Sequence, residues 1–227
     1  MVCEVYSTAL AHMAPDRYLA LAAPASAEPP RTKGSRFIGE AFPATSEGAI
    51  AALVDDVRRR EHAATHWCWA ARLGPPGASG DGAWPRYSDD GEPSGSAGLP
   101  ILREIDRRGL SDTLVIVTRY YGGTKLGTGG LARAYGEAGG MALDAASAEV
   151  RVIREALTLH FGYDDTAAAL RVARRHDAEF GAPAYDGAGA TLAVRVPRSL
   201  AAELASAFVD ATSGRGRVER RKGPEGE

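Results

Sequence analysis

RYYGGTKLGTGGLARAYG, residues 119–136, decides how the first half of the chain folds. Six of its eighteen residues are glycine. It is preceded by TLVIV, residues 113–117, whose unbroken apolar run reads as a central strand covered on both faces. It leads into Leu131, Ala134, Tyr135, Ala138, Met141, Ala142 and Ala145, one helical stripe of mostly small residues that favours close packing. A glycine-rich link from strand to helix can cradle phosphate, approach nucleic acid, or serve packing alone.

Two specific phosphate patterns fail on spacing. Gly127–Ala132 formally fits G-x-G-x-x-A, but the acidic residue a dinucleotide site needs about 20 positions later is missing. The next strand falls near 152–161, and Asp164 and Asp165 come too late. The run from Gly122 to Gly127 is followed by Thr128 instead of the lysine of a P-loop. A weaker proposition survives. The amides of Gly127, Thr128, Gly129 and Gly130 at a helix N-terminus suit an anion, with Arg119 and Lys125 as flanking cations. Tyr120 and Tyr121 add aromatic surface for a base, and Gly122 and Gly123 complete the loop. The alternative, that one tyrosine is buried and the glycines let strand and helix approach, stays open.

SDDGEP, residues 88–93, gathers Asp89, Asp90 and Glu92 around a turn. Such carboxylates can hold Mg²⁺ or act as a base, although the D-x-[DN]-x-[DN]-G calcium pattern is absent. Composition favours an Asx-turn and a helix-capping role. His62, His66 and Cys68 lack a fourth ligand at zinc spacing, so no metal is assigned.

Outward from these blocks, residues 35–42 read as a strand and Ser46 caps a helix through Ile50, Leu53, Val54 and Val57. THWCWAARL is a half-buried strand and GPPGASGDGAWP a loop. A helix begins near Leu99, with Pro100 in its first turn and Gly109 as its stop. Beyond residue 150 the pattern becomes strand (Leu157, Leu159, Phe161), a helix capped by Asp165 or Thr166, and two strands about Asp186-Gly187. A helix capped by Ser199 and a basic last strand complete a ferredoxin-like β-α-β-β-α-β order.

At 227 residues, with 44% hydrophobic and 25% charged residues and a net charge of −2, the chain has ordinary globular composition. Nothing global favours nucleic acid or membrane, so any polyanion site must be local. Cys3 and Cys68 form no disulfide framework, and Cys68 reads as a reduced core thiol, pointing to the cytoplasm. No apolar run approaches the about 18 residues of a membrane span. YLALAAPASAE ends like a signal-peptidase site, but Asp16 and Pro24 disturb the pattern, and a first strand is expected instead. Met1 and Met13 are both possible starts.

KGSRFIG, THWCWA, SDDGEPSGSAGLPIL and VIVTRYYGGTKLGTGGLARAYG together resemble the YigZ/Impact family over about Arg17 to Val218. The resemblance implies an α+β protein of two domains. One, residues 17–149, is an α/β sandwich like the second domain of a small-subunit ribosomal protein. The other, residues 151–221, is ferredoxin-like and similar to domain V of elongation factor G; residues 1–16 and 222–227 are extensions. It also implies a translation-linked or RNA-linked role. The leading expectation is a cytoplasmic, non-enzymatic regulator or binding protein that engages RNA or a ribosomal component through the Arg119–Gly130 loop, with a protein as the alternative partner and no cofactor assigned. The matching positions are Asp89, Asp90, Gly91, Glu92, Arg119, Tyr120, Tyr121, Gly122, Gly123, Leu126, Gly127, Thr128, Gly129 and Gly130. Two competing functions are retained. One is an enzyme on a small phosphorylated substrate, with Asp90 or Glu92 as base or Mg²⁺ ligand; the other is a protein-interaction module.

Overall fold

The computed structural model describes residues 16–76 and 85–220. Cys3, Met1, Met13, most of the Gly/Pro loop and the C-terminal extension lie outside the described residues. The chain divides into two compact units, the first holding Arg17–Arg151 and the second Ala14–Asp16 with Val152–Glu227.

The first unit runs β1 (Arg17–Leu21), β2 (Ala25–Ala27), β3 (Arg36–Pro43), α1 (Glu47–Arg60), β4 (His66–Arg72) and β5 (Arg86–Ser88). It continues with α2 (Gly98–Arg107), β6 (Thr113–Tyr120), α3 (Thr128–Ala145) and β7 (Ala148–Val152). Five strands form a sheet in the order β2-β3-β6-β4-β5, while β1 and β7 make a separate pair. The apolar run takes the centre, antiparallel to both β3 and β4.

Period-two alternation sends successive β6 side chains to opposite faces. Val115 and Val117 meet Ile101, Ile105, Tyr135 and Ala138 of α2 and α3. Leu114 and Ile116 meet Ile50, Val54 and Val57 of α1. All four β6 residues are 0% exposed, so each contributes about 1.5–3 kcal/mol of burial, and the strand needs helices on both sides.

Local chemistry fixes the helices. The Ser46 hydroxyl accepts from the Ala49 amide at 3.2 Å, and Arg58, Arg59 and Arg60 complement the C-terminal dipole of α1. The small stripe of α3 permits close approach: a Cβ on Gly39 of β3 would collide with the Ala138 carbonyl. One side chain joins α2 to α3. Arg108, 1% exposed, donates to Asp144 at 2.6 and 2.9 Å, to Glu104 at 2.7 Å and to the Gly140 carbonyl at 3.1 Å.

The second unit comprises β8 (Arg154–Phe161), α4 (Thr166–Arg175), β9 (Glu179–Phe180), β10 (Ala184–Asp186), β11 (Gly189–Pro197), α5 (Ala201–Ala211) and β12 (Arg217–Arg220). Its strands lie in the order β10-β11-β8-β12, with β9 beside β11, and every pairing is antiparallel. That is the ferredoxin-like arrangement the β-α-β-β-α-β order predicts. Leu157, Leu159, Phe161, Leu192, Val194 and Val196 build its core with Val172, Leu204 and Phe208.

Two expected caps are corrected. Helix α5 starts two residues after Ser199, whose hydroxyl instead donates to Asp16 at 2.6 Å. Asp165 precedes α4 but directs its carboxylate at Arg215, at 2.7 and 3.3 Å. In both, a distant partner outcompetes the adjacent helix amides.

Candidate functional site

The acidic turn acts as a clamp. Its tight bend places Asp90 at φ 44°, a conformation that Asp tolerates better than most residues. The Asp89 carboxylate accepts from the amides of Gly95, Ala97 and Gly98 at 2.8–2.9 Å, so it caps α2 from a distance. Asp90 accepts from Arg58 of α1 at 2.6 Å and from the Trp67 amide of β4 at 2.8 Å, while its carbonyl meets His66 Nδ1 at 2.8 Å. Glu92, with 5% of its side chain exposed, receives Arg119 and the Tyr135 hydroxyl, the latter at 2.8 Å. Six residues thus reach α1, β4, α2, β6 and α3. The capping expected from composition is present, and the carboxylates point at protein donors. Among the described residues no His, Cys, Asp and Glu group is arranged to hold a metal ion.

Cys68 belongs to the same cluster, donating to the Asp89 carbonyl at 3.0 Å. Burial pushes its thiol up to about 12, with the charges of Glu92, Asp90 and Asp89 adding to the shift. The thiolate needed for nucleophilic chemistry is therefore suppressed. Burial also drives the Tyr135 hydroxyl far above the usual tyrosine range, keeping it a hydrogen-bond donor.

Arg119 does not join Lys125 as a surface cation. It lies opposite Phe37 of β3 and His66 of β4, on the face covered by α2 and α3. The residue is 5% exposed and ion-paired with Glu92. Its guanidinium carbon is 5.5 Å from the Phe37 ring centroid and 5.4 Å from that of Tyr121, a cation–π sandwich. Tyr120, one residue on, faces the opposite side and donates to Glu61 at 2.7 Å. Tyr121 forms the outer lid of the arginine and is 48% exposed.

The glycines divide by role. A Cβ on Gly122 would strike the Gly34 and Ser35 backbone, so that glycine lets two loops touch, and Ser35 Oγ accepts the Gly122 amide at 3.1 Å. Gly127 caps α3 at φ 70° without supplying a side-chain acceptor. The first amides of α3, at Thr128, Gly129 and Gly130, consequently lack intrahelical partners, and its first turn carries no acidic residue. Gly123, Gly127 and Gly129 face open space. Lys125 is exposed beside them, and so is Lys33, adjacent to the Gly34 that touches Gly122.

Sequence reasoning missed Lys33 and Ser35 as neighbours of the loop, and Tyr135 as a polar partner. KGSRFIG was legible only as a family motif, and its contact with residue 122 is long-range. Tyr135 sat in an apolar stripe, where only its ring was legible.

The first unit is thus a three-layer domain whose glycine loop is braced by a neutralised acidic turn. Its residues 33–143 match the Impact N-terminal domain. The "IMPACT family member in pol 5'region" of Thermus thermophilus is 47% identical over 102 residues, covering 45% of this chain and 51% of that protein. IMPACT family member YigZ of Escherichia coli is 42% identical over 106 residues, 46% of this chain and 50% of that protein. A Haemophilus influenzae family member is 38% identical over 122 residues, 53% and 58% of the two chains. The chain spans about half the length of these curated relatives. A solved structure described as a hypothetical protein aligns with TM-score 0.68 and 30% identity, covering 92% of this chain and all of that one. The chain belongs to the YigZ/Impact family. Among the described residues, no helix is long and apolar enough to cross a membrane.

Proposed function

We propose that the chain is a non-enzymatic, cytoplasmic binding protein linked to translation, whose first unit engages RNA or an RNA-bearing ribosomal component through the Tyr121–Gly130 loop. Family membership supports a translation-associated, regulator-like role. The observation carrying the finer reading is the exposed start of α3. Its unpaired amides lie beside Lys125, and the half-exposed ring of Tyr121 belongs to the same loop. No acidic partner engages Lys33 or Lys125 among the described residues, so both retain charge for phosphate. Helix N-termini and lysines contribute phosphate affinity, whereas an exposed ring adds base stacking.

The enzymatic alternative draws no support from the contacts. Asp90 and Glu92 are both engaged by arginines, and Cys68 is held protonated.

Fluorescence anisotropy with a labelled single-stranded RNA across a salt series tests the proposal. Lys33→Ala/Lys125→Ala is expected to weaken binding and lower the log–log salt slope by about 1.4, at about 0.7 for each lost phosphate contact. Equal affinity and slope in a folded double variant would overturn the assignment of this loop.

A further inference from the structure

The second unit carries a compact basic surface on its first helix. Arg171, Arg174 and Arg175 all lie in the C-terminal half of α4, and all three are exposed. Arg171 is three residues from Arg174 and four from Arg175, a spacing that sets them on one side of the helix with Cβ atoms about 5–6 Å apart. The opposite side faces the core through Ala169, Val172 and Ala173. Arg174 is also steadied by an aromatic neighbour, its guanidinium carbon standing 5.9 Å from the Phe180 ring centroid.

Cations near a helix C-terminus complement its dipole, and that role alone could place arginines here. Helix α1 shows how this protein builds such an end. Each of its C-terminal arginines is met by a carboxylate: Arg58 by Asp90 at 2.6 Å, Arg59 by Asp56 at 3.1 Å and Arg60 by Glu40 at 2.5 Å. Among the described residues no carboxylate pairs with Arg171, Arg174 or Arg175. The neighbouring acids are turned elsewhere. Asp177 and Glu179 meet Arg154 at 3.4 and 3.0 Å, and Glu203 of α5 faces His176 at 3.6 Å. Like charges at this spacing repel, so the cluster weakens the free helix and an anionic partner would relieve it. The character of the surface selects that partner. No exposed large hydrophobic side chain belongs to α4, so it lacks the apolar anchors on which protein interfaces and membrane-lying helices depend. Guanidinium forks without such an anchor suit phosphate, which they can meet bidentately.

We infer that the α4 arginines form a second RNA contact, one that grips the phosphate backbone and ignores base identity. The inference rests on the RNA-binding reading above but uses different residues, so the two can fail separately. The test is anisotropy of the full chain with labelled oligouridine RNA, oligoadenosine RNA and polyglutamate across a salt series. Arg171→Ala/Arg174→Ala/Arg175→Ala should lower the log–log salt slope by about 2.1, at about 0.7 for each lost contact, and equally for both RNAs. Alanine favours helix, and urea unfolding verifies that the variant is folded. The matching triple lysine variant should keep the slope, because it keeps the charges. If Lys33→Ala/Lys125→Ala abolishes RNA binding while the triple alanine variant matches the parent chain, this surface is overturned and the first-unit loop stands. The reverse pattern overturns the loop and keeps the surface. A loss confined to one RNA sequence overturns the backbone reading. Loss of polyglutamate binding with RNA binding unchanged assigns the surface to an acidic protein segment and overturns the RNA contact. A parent chain that binds neither RNA overturns both.

Discussion

Replacing Arg119 should damage the fold before it touches any ligand. Arg119 and Glu92 have 6% and 5% of their side chains exposed, so neither charge has water to fall back on. Arg119→Met leaves the buried Glu92 with the Tyr135 hydroxyl at 2.8 Å and His66 Nε2 at 3.9 Å and no arginine, which is expected to cost about 3–5 kcal/mol. Glu92→Leu strands the guanidinium with Ser35 Oγ at 3.4 Å and two ring faces, a loss of similar size. The double variant Arg119→Met/Glu92→Leu removes both charges and orphans chiefly the Tyr135 hydroxyl, so about 1–3 kcal/mol is expected. The two substitutions together should therefore harm less than either alone. Urea unfolding followed by tryptophan fluorescence reads this directly, because Trp67 and Trp69 lie in β4 of the same unit. RNA anisotropy on the folded double variant supplies the second reading, and affinity within about twofold of the parent is expected. Additive losses, with coupling below about 0.5 kcal/mol, would refute the ion-pair reasoning. A folded double variant that had lost RNA would make Arg119 a direct ligand.

Loop glycines should separate by backbone contact. Gly122→Ala is expected to cost at least about 2 kcal/mol, because its Cβ meets the Gly34 and Ser35 backbone, whereas Gly129→Ala faces open space and should be stabilising by up to about 1 kcal/mol; equal urea midpoints would contradict the assignment. Alkaline pH should weaken the first unit. Cys68 rises from 9.0 to about 12 by burial, and Tyr18 from 10.0 to about 12 by burial and its hydrogen bond to Asp112. Both groups ionise first in the unfolded chain, so their contribution is full below the ordinary values and is lost as pH climbs toward about 12. A urea midpoint that stays flat through about pH 11 would contradict this.

Much of the fold was legible because it depends on local period. The run Leu114–Val117 announces a strand needing two covered faces, Ser46 announces a helix start, and alternation at Leu157, Leu159 and Phe161 announces the second unit's core. The capping use of Asp89 was readable from turn chemistry. The destination of Arg119 was not, because Glu92 stands 27 residues earlier and Tyr135 lies 43 residues from that carboxylate. Ser199 and Asp165 were misread for the same reason. Each is a good local cap taken by a partner that only the tertiary fold supplies, 183 and 50 residues away.

The glycine loop and the acidic turn make sense as one construction. Three carboxylates close to a polyanion surface would repel phosphate within a Debye length of about 8 Å. Here Asp90 is turned onto Arg58 and Glu92 onto Arg119, which neutralises both, while Asp89 is turned inward onto the amides at the start of α2. That arrangement withdraws Arg119 from the surface along with the acids. What remains outside is the uncapped start of α3 with Lys33 and Lys125, while Tyr121 covers the buried arginine and keeps one ring face toward solvent. A chain of net charge −2 can in this way offer a locally positive face without a basic composition, because the geometry of the pairing sets the sign at the loop.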